Sequence, residues 1–408
     1  MPRSHKSTVG IELELSLIYE DGFLANEAPL ILQDTRNDGS FVYENSNARI
    51  EVISAPAETV TDLHLDFLPR LALLEDIRSQ YGIYPVPVSE FNAGAGTQKE
   101  SPRLDVYSSI IGDEGTAQIR SIAGFHTHFS QFPGRELAQY WLLTALDPIS
   151  FSITSTSPIS YKGKSKVNCH RIKLIREKVS ARMPLHGHLL EYPGTLSEIE
   201  TRKNDRFEEW LKLSRLPRPD FEALFTPCNT GFCPVRKRDN IGPTGTLEAR
   251  GFDTCPLENC LAAVALFKGI NDRIVYGEIP VEVAVNDSFY YFGLERVVLP
   301  NFTTLKGLER EAIYHGVRSP EVKRYLQTLL RFAEPGLPSG DRRYLATVKE
   351  MLRTGVNPAD RMISHLRRFG NEARYLSPQD AAEANLYMRS EYLRNLRWMG
   401  YADEELVA

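Results

Sequence analysis

The sequence is short of the features that mark several whole classes of protein. No apolar run approaches the ~20 residues that a membrane helix requires, so no membrane span is expected. Met1 to Leu17 holds a few basic side chains but neither a continuous apolar segment nor a small-residue cleavage site, so no signal peptide is expected. Cysteine is scarce and odd in number, with five in 408 residues. That argues against a disulfide framework and for reduced thiols in a cytoplasmic protein. Cys228 with Cys233, and Cys255 with Cys260, are each separated by four residues, a gap at the upper end of zinc-site spacing. A zinc knuckle and scattered core or loop thiols are the two readings, and the thiols are preferred. Charge is nearly balanced, with 48 Lys and Arg against 53 Asp and Glu. Such a chain lacks the basic excess of a general nucleic-acid binder. It also lacks internal repeats and low-complexity tracts.

What remains is an ordinary globular composition, 42% hydrophobic and 25% charged, which excludes disorder for most of the chain. The pattern predicts strands over Gly10–Ile18, Tyr84–Glu90, Ile119–Gln131 and Thr244–Gly251, with a further polar-to-apolar segment over Glu44–Ser54. It predicts helices over Thr61–Tyr81, Leu137–Leu146 and Pro256–Val275. From about Thr304 onward every segment has helical periodicity, punctuated by Pro320, Pro335, Pro338, Pro358 and Pro378. Asn92–Arg103 and Ser155–Asp205 read as loops. The expected plan is an α+β catalytic core over residues 1–303, with a helical C-terminal region, 304–408, packed on it.

Alternate side chains of a strand point to opposite faces. Glu12 and Glu14 therefore share a face, opposite Ile11, Leu13 and Leu15. In the same way His126, His128 and Ser130 oppose Phe125 and Phe129, and Glu248 with Arg250 opposes Leu247 and Ala249. One such strand reads as an ordinary sheet with a solvated face. Three together, rich in Glu, His and Arg and free of lysine, read as a site. Clustered carboxylates repel one another unless cations neutralise them, and carboxylate oxygens with an imidazole suit Mg²⁺ or Mn²⁺. Glu44 and Glu51 are an odd number apart, so a regular strand would separate them. Asn45, Ser46 and Asn47 are turn formers that can supply a bend turning both inward; a solvated turn is the alternative.

These residues carry a family resemblance. Gly10-Ile-Glu-Leu-Glu14, the segment from Glu44 through Glu51 to Pro56, Gly124-Phe-His-Thr-His-Phe-Ser130 and Gly245-Thr-Leu-Glu-Ala-Arg250 occur in order. Together they resemble the family 2 glutamate–cysteine ligases and related carboxylate–amine ligases, distant relatives of glutamine synthetase in fold. The resemblance runs from about Gly10 to Pro300. It implies a curved antiparallel sheet, a half-barrel backed by helices, holding ATP, two or three Mg²⁺ or Mn²⁺ ions and a carboxylate substrate. It implies Glu12, Glu14, Glu44, Glu51, His126 and Glu248 as metal or carboxylate positions. Arg250 matches the arginine that meets the transferring phosphoryl group, His128 and Ser130 match positions near nucleotide or substrate, and Arg171 aligns loosely with a substrate or phosphate arginine, a solvated basic turn being the equal alternative. The implied partners are a small-molecule or peptide acid and an amine, with no nucleic acid and no membrane; a homodimer is an expectation carried by the resemblance alone.

The sequence departs from the family at two places. Gly96-Thr-Gln-Lys99 stands where relatives have Gly-Thr-His-Pro. Val285 to Gly293 lacks the arginine of the segment it resembles, so substrate identity does not carry over. The loops Asn92–Arg103 and Ser160–Asp205 are expected lids. Lys164 and Lys166 read as surface charges, His186 and His188 as non-catalytic; Arg236, Lys237 and Arg238 precede the Glu248 strand and could reach phosphates, with a solvated hairpin end as the default reading. A metal-dependent hydrolase and an inactive member of the fold are the rival readings.

Overall fold

The computed structural model describes residues 5–90, 96–97, 101–159, 167–368 and 377–401. Seven strands make one sheet: β1 (Val9–Ile18), β2 (Phe41–Tyr43), β3 (Arg49–Ile53), β4 (Tyr84–Val86), β5 (Gly124–Ser130), β6 (Val235–Arg238) and β7 (Thr246–Asp253). The order is β2-β3-β1-β5-β7-β6, with β4 pairing the far end of β1. Every pairing in it is antiparallel, so the protein is α+β with an antiparallel sheet. A second sheet joins β8 (Val281–Val283), β9 (Tyr291–Phe292) and β10 (Val297–Leu299).

Ile11, Leu13 and Leu15 of β1, Phe125 and Phe129 of β5, and Leu247 of β7 lie in one core. Helices Val60–Ser79, Glu136–Thr154 and Leu257–Tyr276 add Phe67, Leu146 and Leu266 to it. The apolar face thus turns inward to the helices, and the face carrying Glu and His is left for the site.

Several expected boundaries shift. The strand expected over Ile119–Gln131 begins at Gly124, because Ile119 and Ser121 end a helix spanning Pro102–Ser121. Gly112, at φ 76°, kinks that helix and interrupts its 3.6-residue period, which hides it in the sequence. Loop was also expected where the helix Leu196–Ser214 begins. Thr195 caps that helix by accepting from the Glu198 N–H at 3.2 Å. Ile199, Phe207 and Trp210 are its buried stripe. The strand over Tyr84–Glu90 is cut to three residues ending at Val86.

Pro320, Pro358 and Pro378 each open a helix, where a missing N–H costs nothing. The helices after Phe302 add Leu308, Tyr325 and Tyr392 to the same core as the sheet. Helix Pro378–Trp398 is also held by a buried ion pair: Arg389 Nη1 and Nη2 donate to Glu75 Oε1 and Oε2 at 2.8 and 2.5 Å. Arg78 Nε donates to the same carboxylate at 2.8 Å. Removing one partner of such a pair leaves a buried charge uncompensated. Glu75→Ala is therefore expected to cost about 3–5 kcal/mol in chemical denaturation. The variant Glu75→Leu with Arg78→Met and Arg389→Met, which removes all three charges, is expected to recover most of that loss, and equal loss in both would contradict the account.

Candidate active site

Residues directly opposite in an antiparallel pair share a face. Glu14 stands opposite Glu51, Glu12 opposite His126, and His128 opposite Glu248. One face therefore collects these six side chains from four adjacent strands. Along β7, simple alternation would place residues 248, 250 and 252 on that face together. A bulge prevents it: Phe125 pairs with Phe252 and Thr127 with Ala249, so Arg250 and Gly251 both oppose His126. The extra residue reverses the alternation. Glu248 and Arg250 line the polar chamber, whereas Phe252 turns into the core against Phe125, ring centroids 5.1 Å apart.

His126 is the hub. Its Nδ1 lies 3.2 Å from Glu12 Oε2 and 3.8 Å from Glu248 Oε1, and its Nε2 lies 3.8 Å from Glu14 Oε1. Two groups of three donors converge, Glu12 with His126 and Glu248, and Glu14 with Glu51 and His126; each group's ligand atoms lie within 4.8 Å of one another. The bend at Asn45–Asn47 lies between β2 and β3, and the Glu44 side chain hydrogen-bonds that of Glu51. Glu44 belongs to neither group of three. Among the described residues no cysteine joins such a group, and Cys255 and Cys260 meet in the core with Sγ atoms 3.4 Å apart.

The electrostatics follow from this crowding. Burial, then the charge of Glu14, pushes the Glu44 carboxyl up to about 7. Burial and the charge of Glu44, with Glu12 and Glu14 beyond, raise Glu51 well above the usual carboxylate range. Glu12 and Glu248 go the other way. Burial opposes their ionisation, but His126 and His128 beside Glu12, and Arg250 and Arg236 beside Glu248, outweigh it and hold both below the usual range. Burial, and Arg250 next to it, keep His126 below the usual imidazole range. A neutral imidazole among carboxylates that repel one another is a donor set that fits a hard divalent cation.

Facing the carboxylates is an arginine wall. Arg236 Nη1 and Arg238 Nη1 lie 3.6 and 3.4 Å from Glu248 Oε2, and Arg250 Nη1 pairs with Oε1. Three guanidiniums thus share one buried carboxylate. The expectation of a solvated hairpin end at 236–238 is corrected here. β6 pairs Arg236 opposite Glu248 and Arg238 opposite Thr246, so both turn inward, and Lys237 instead meets Glu200 at 3.2 Å. The signal for this lay in alternation along β6 once β7 was placed. Arg49 was also missed, although it shares the parity of Glu51 on β3; it is buried, lines the chamber and donates to the Arg120 carbonyl at 3.1 Å. Arg171 lines the chamber too, with its donors turned to the carbonyls of Arg250 and Gly251.

The chamber has a volume of ≈ 320 Å³. Glu12 also lines a second cavity of ≈ 550 Å³, walled by Ile11, Ile53, Pro56 and the turn Ile241–Gly245. His128 and Ser130 lie there. His128 Nε2 is 3.0 Å from Glu12 Oε1 and its Nδ1 is 3.2 Å from Thr246 Oγ1. Ser130 Oγ accepts from the Thr8 N–H at 2.9 Å. A side cavity of ≈ 230 Å³ touches the chamber's Glu44 and Asn45 and is lined by Tyr43, Arg103 and Tyr107.

Other residues singled out from the sequence lie elsewhere. His186 is buried against Trp210, and His188 faces the Ser180 carbonyl at 3.0 Å. Val285–Gly293 runs through the second sheet, where Tyr290 packs on Tyr325. The expected lids fall partly outside the described residues, as do Gln98, Lys99, Lys164 and Lys166.

No protein-family model matches the sequence, and no curated protein matches it. Solved structures do match. The bifunctional glutathione synthetase from Pasteurella multocida is 14% identical with TM-score 0.57, over 96% of this chain and 52% of that one. The chain therefore spans about half the length of that relative. The glutamate–cysteine ligase from Francisella tularensis, solved in complex with AMP, is 12% identical with TM-score 0.59, over 97% of this chain and 91% of that one. At these identities the likeness is one of fold alone, the fold that the chain shares with these two ligases.

Proposed function

We propose that this chain is an ATP-dependent carboxylate–amine ligase of glutamate–cysteine ligase type, forming an amide through an acyl phosphate. The observation that carries the reading is the pair of Glu and His donor groups sharing His126, set against an arginine wall and touching cavities on both sides. The likeness in fold to a glutamate–cysteine ligase bound to AMP supports it. In this reading residues 1–303 carry the chemistry and 304–408 brace it.

Glu12, His126 and Glu248 would hold one divalent ion, and Glu14 with Glu51 would hold another through carboxylate oxygens, since a neutral imidazole has one lone pair to give; the donor types suit Mg²⁺ or Mn²⁺. Ions bound there supply positive charge between two anions, the substrate carboxylate and the phosphates, that must meet. The larger cavity takes the nucleoside against Ile53 and Pro56, beside His128 and Ser130. The arginine chamber takes the acid. Arg250 offers two parallel N–H donors to the γ-phosphoryl group as the carboxylate oxygen attacks phosphorus and ADP leaves. The amine approaches from the side cavity past Glu44, attacks the acyl carbon and expels phosphate. Glu44, its carboxyl raised to about 7 by burial and then by the charge of Glu14, lines that side cavity and is the group proposed to take the amine's proton. Walls that exclude water protect the acyl phosphate from hydrolysis.

The test is a screen of pooled acids and amines with ATP and Mg²⁺, reading ADP and product mass. ADP release that needs both an acid and an amine, with a condensed product, is expected. Hydrolysis of an acid derivative without nucleotide would favour a metal-dependent hydrolase instead. Absence of Mg²⁺-dependent ATP binding by calorimetry would favour an inactive member of the fold.

A further inference from the structure

We infer that Arg171 is a positioning residue, whose work is to hold the β7 bulge and, through it, Arg250. Its guanidinium is buried. Nη2 donates to the carbonyl oxygen of Arg250 at 3.2 Å and Nη1 to that of Gly251 at 3.4 Å, the two residues of the bulge. A bulge disrupts the ladder locally, and its buried carbonyls need donors from elsewhere. The planar fork of one guanidinium supplies both.

The fork is itself anchored. Nη1 lies 3.6 Å from Asp253 Oδ1, and Asp253, fully buried, also accepts from Ser157 Oγ at 2.6 Å and from the Thr156 N–H at 3.1 Å. The surrounding chain leaves room for this arrangement and little else. A Cβ at Gly124 would lie 2.4 Å from Arg171 Nη2, and one at Gly251 would lie 2.2 Å from Ser150 Oγ. The resemblance aligns Arg171 with an arginine that meets substrate or phosphate. Here Nη1 and Nη2 each donate to a main-chain carbonyl, and in this proposal the residue acts by keeping Glu248 and Arg250 in the chamber while Phe252 stays in the core.

The experiment compares Arg171→Met with wild type in two ways. Phenylglyoxal labelling of Arg250, read by peptide mass, needs no substrate and does not depend on the ligase reading. The kinetic comparison does rest on that reading. Labelling is expected to rise several-fold as Arg250 loosens from Glu248. kcat is expected to fall by about 10²-fold, the scale of a misplaced reacting group, with affinity for a non-hydrolysable ATP analogue unchanged. Arg171→Lys keeps the charge but cannot span both carbonyls, and it should show the same direction; it decides the matter if Arg171→Met does not fold. Unchanged labelling of Arg250 in a folded variant overturns the proposal. So does a raised KM for ATP or acid with kcat preserved, which would place Arg171 on the ligand itself.

Discussion

Glu248→Gln is expected to reduce ATP-dependent amide formation by at least about 10²-fold, the scale of removing a preorganised charged group from an active site. Glu248 does two jobs at once. It completes the donor group with Glu12 and His126, and it is the shared counter-charge of Arg236, Arg238 and Arg250. Glutamine keeps the shape but loses the charge, and an amide oxygen is a poorer ligand for a hard cation. It also leaves three guanidiniums facing one another without their anion. Mn²⁺ affinity and turnover should therefore fall together, while circular dichroism shows the fold retained. Wild-type turnover at saturating ATP and limiting Mg²⁺ would remove Glu248 from the metal site.

The second large effect is expected at Arg250. Two residues beyond Glu248 and just before the reversal at the bulge, it points into the chamber. A guanidinium can form two parallel hydrogen bonds to a phosphoryl group, and a lysine ammonium cannot reproduce them. If those bonds strengthen as the γ-phosphoryl group passes from ADP to the carboxylate, Arg250→Lys lowers kcat by about 10²-fold or more. ATP binding, measured separately, should change far less. Near-normal kcat would reduce Arg250 to a counter-charge for Glu248, a role that lysine can fill.

The grouping of these side chains on one face was legible because strand alternation is a local rule. Glu12 with Glu14, and His126 with His128, could be placed on single faces from sequence spacing, and the register then set them side by side. Glu44 and Glu51 needed a bend, and three consecutive turn-forming residues signalled it. What stayed hidden depends on long-range pairing. Arg236 and Arg238 become part of the site only because β6 pairs with β7, and a four-residue strand carries too little periodicity to announce that. The bulge left no mark beyond Gly251, since a register shift is a property of two strands. The helix Pro102–Ser121 was lost to the kink at Gly112, and the helix at 196 to a surface rich in charge. The C-terminal helices showed clearly because each of Pro320, Pro358 and Pro378 falls where helices begin.

The central claim is that the carboxylates gathered around His126 hold two divalent ions beside a nucleotide. The most direct test is a Mn²⁺ titration of the protein saturated with a non-hydrolysable ATP analogue, with free Mn²⁺ counted by electron paramagnetic resonance. The account predicts at least two ions per bound nucleotide in the wild type, and one fewer in Glu51→Gln, which disables the group that excludes Glu12 and Glu248. A single ion per nucleotide in both proteins, the one the triphosphate carries with it, would contradict the account.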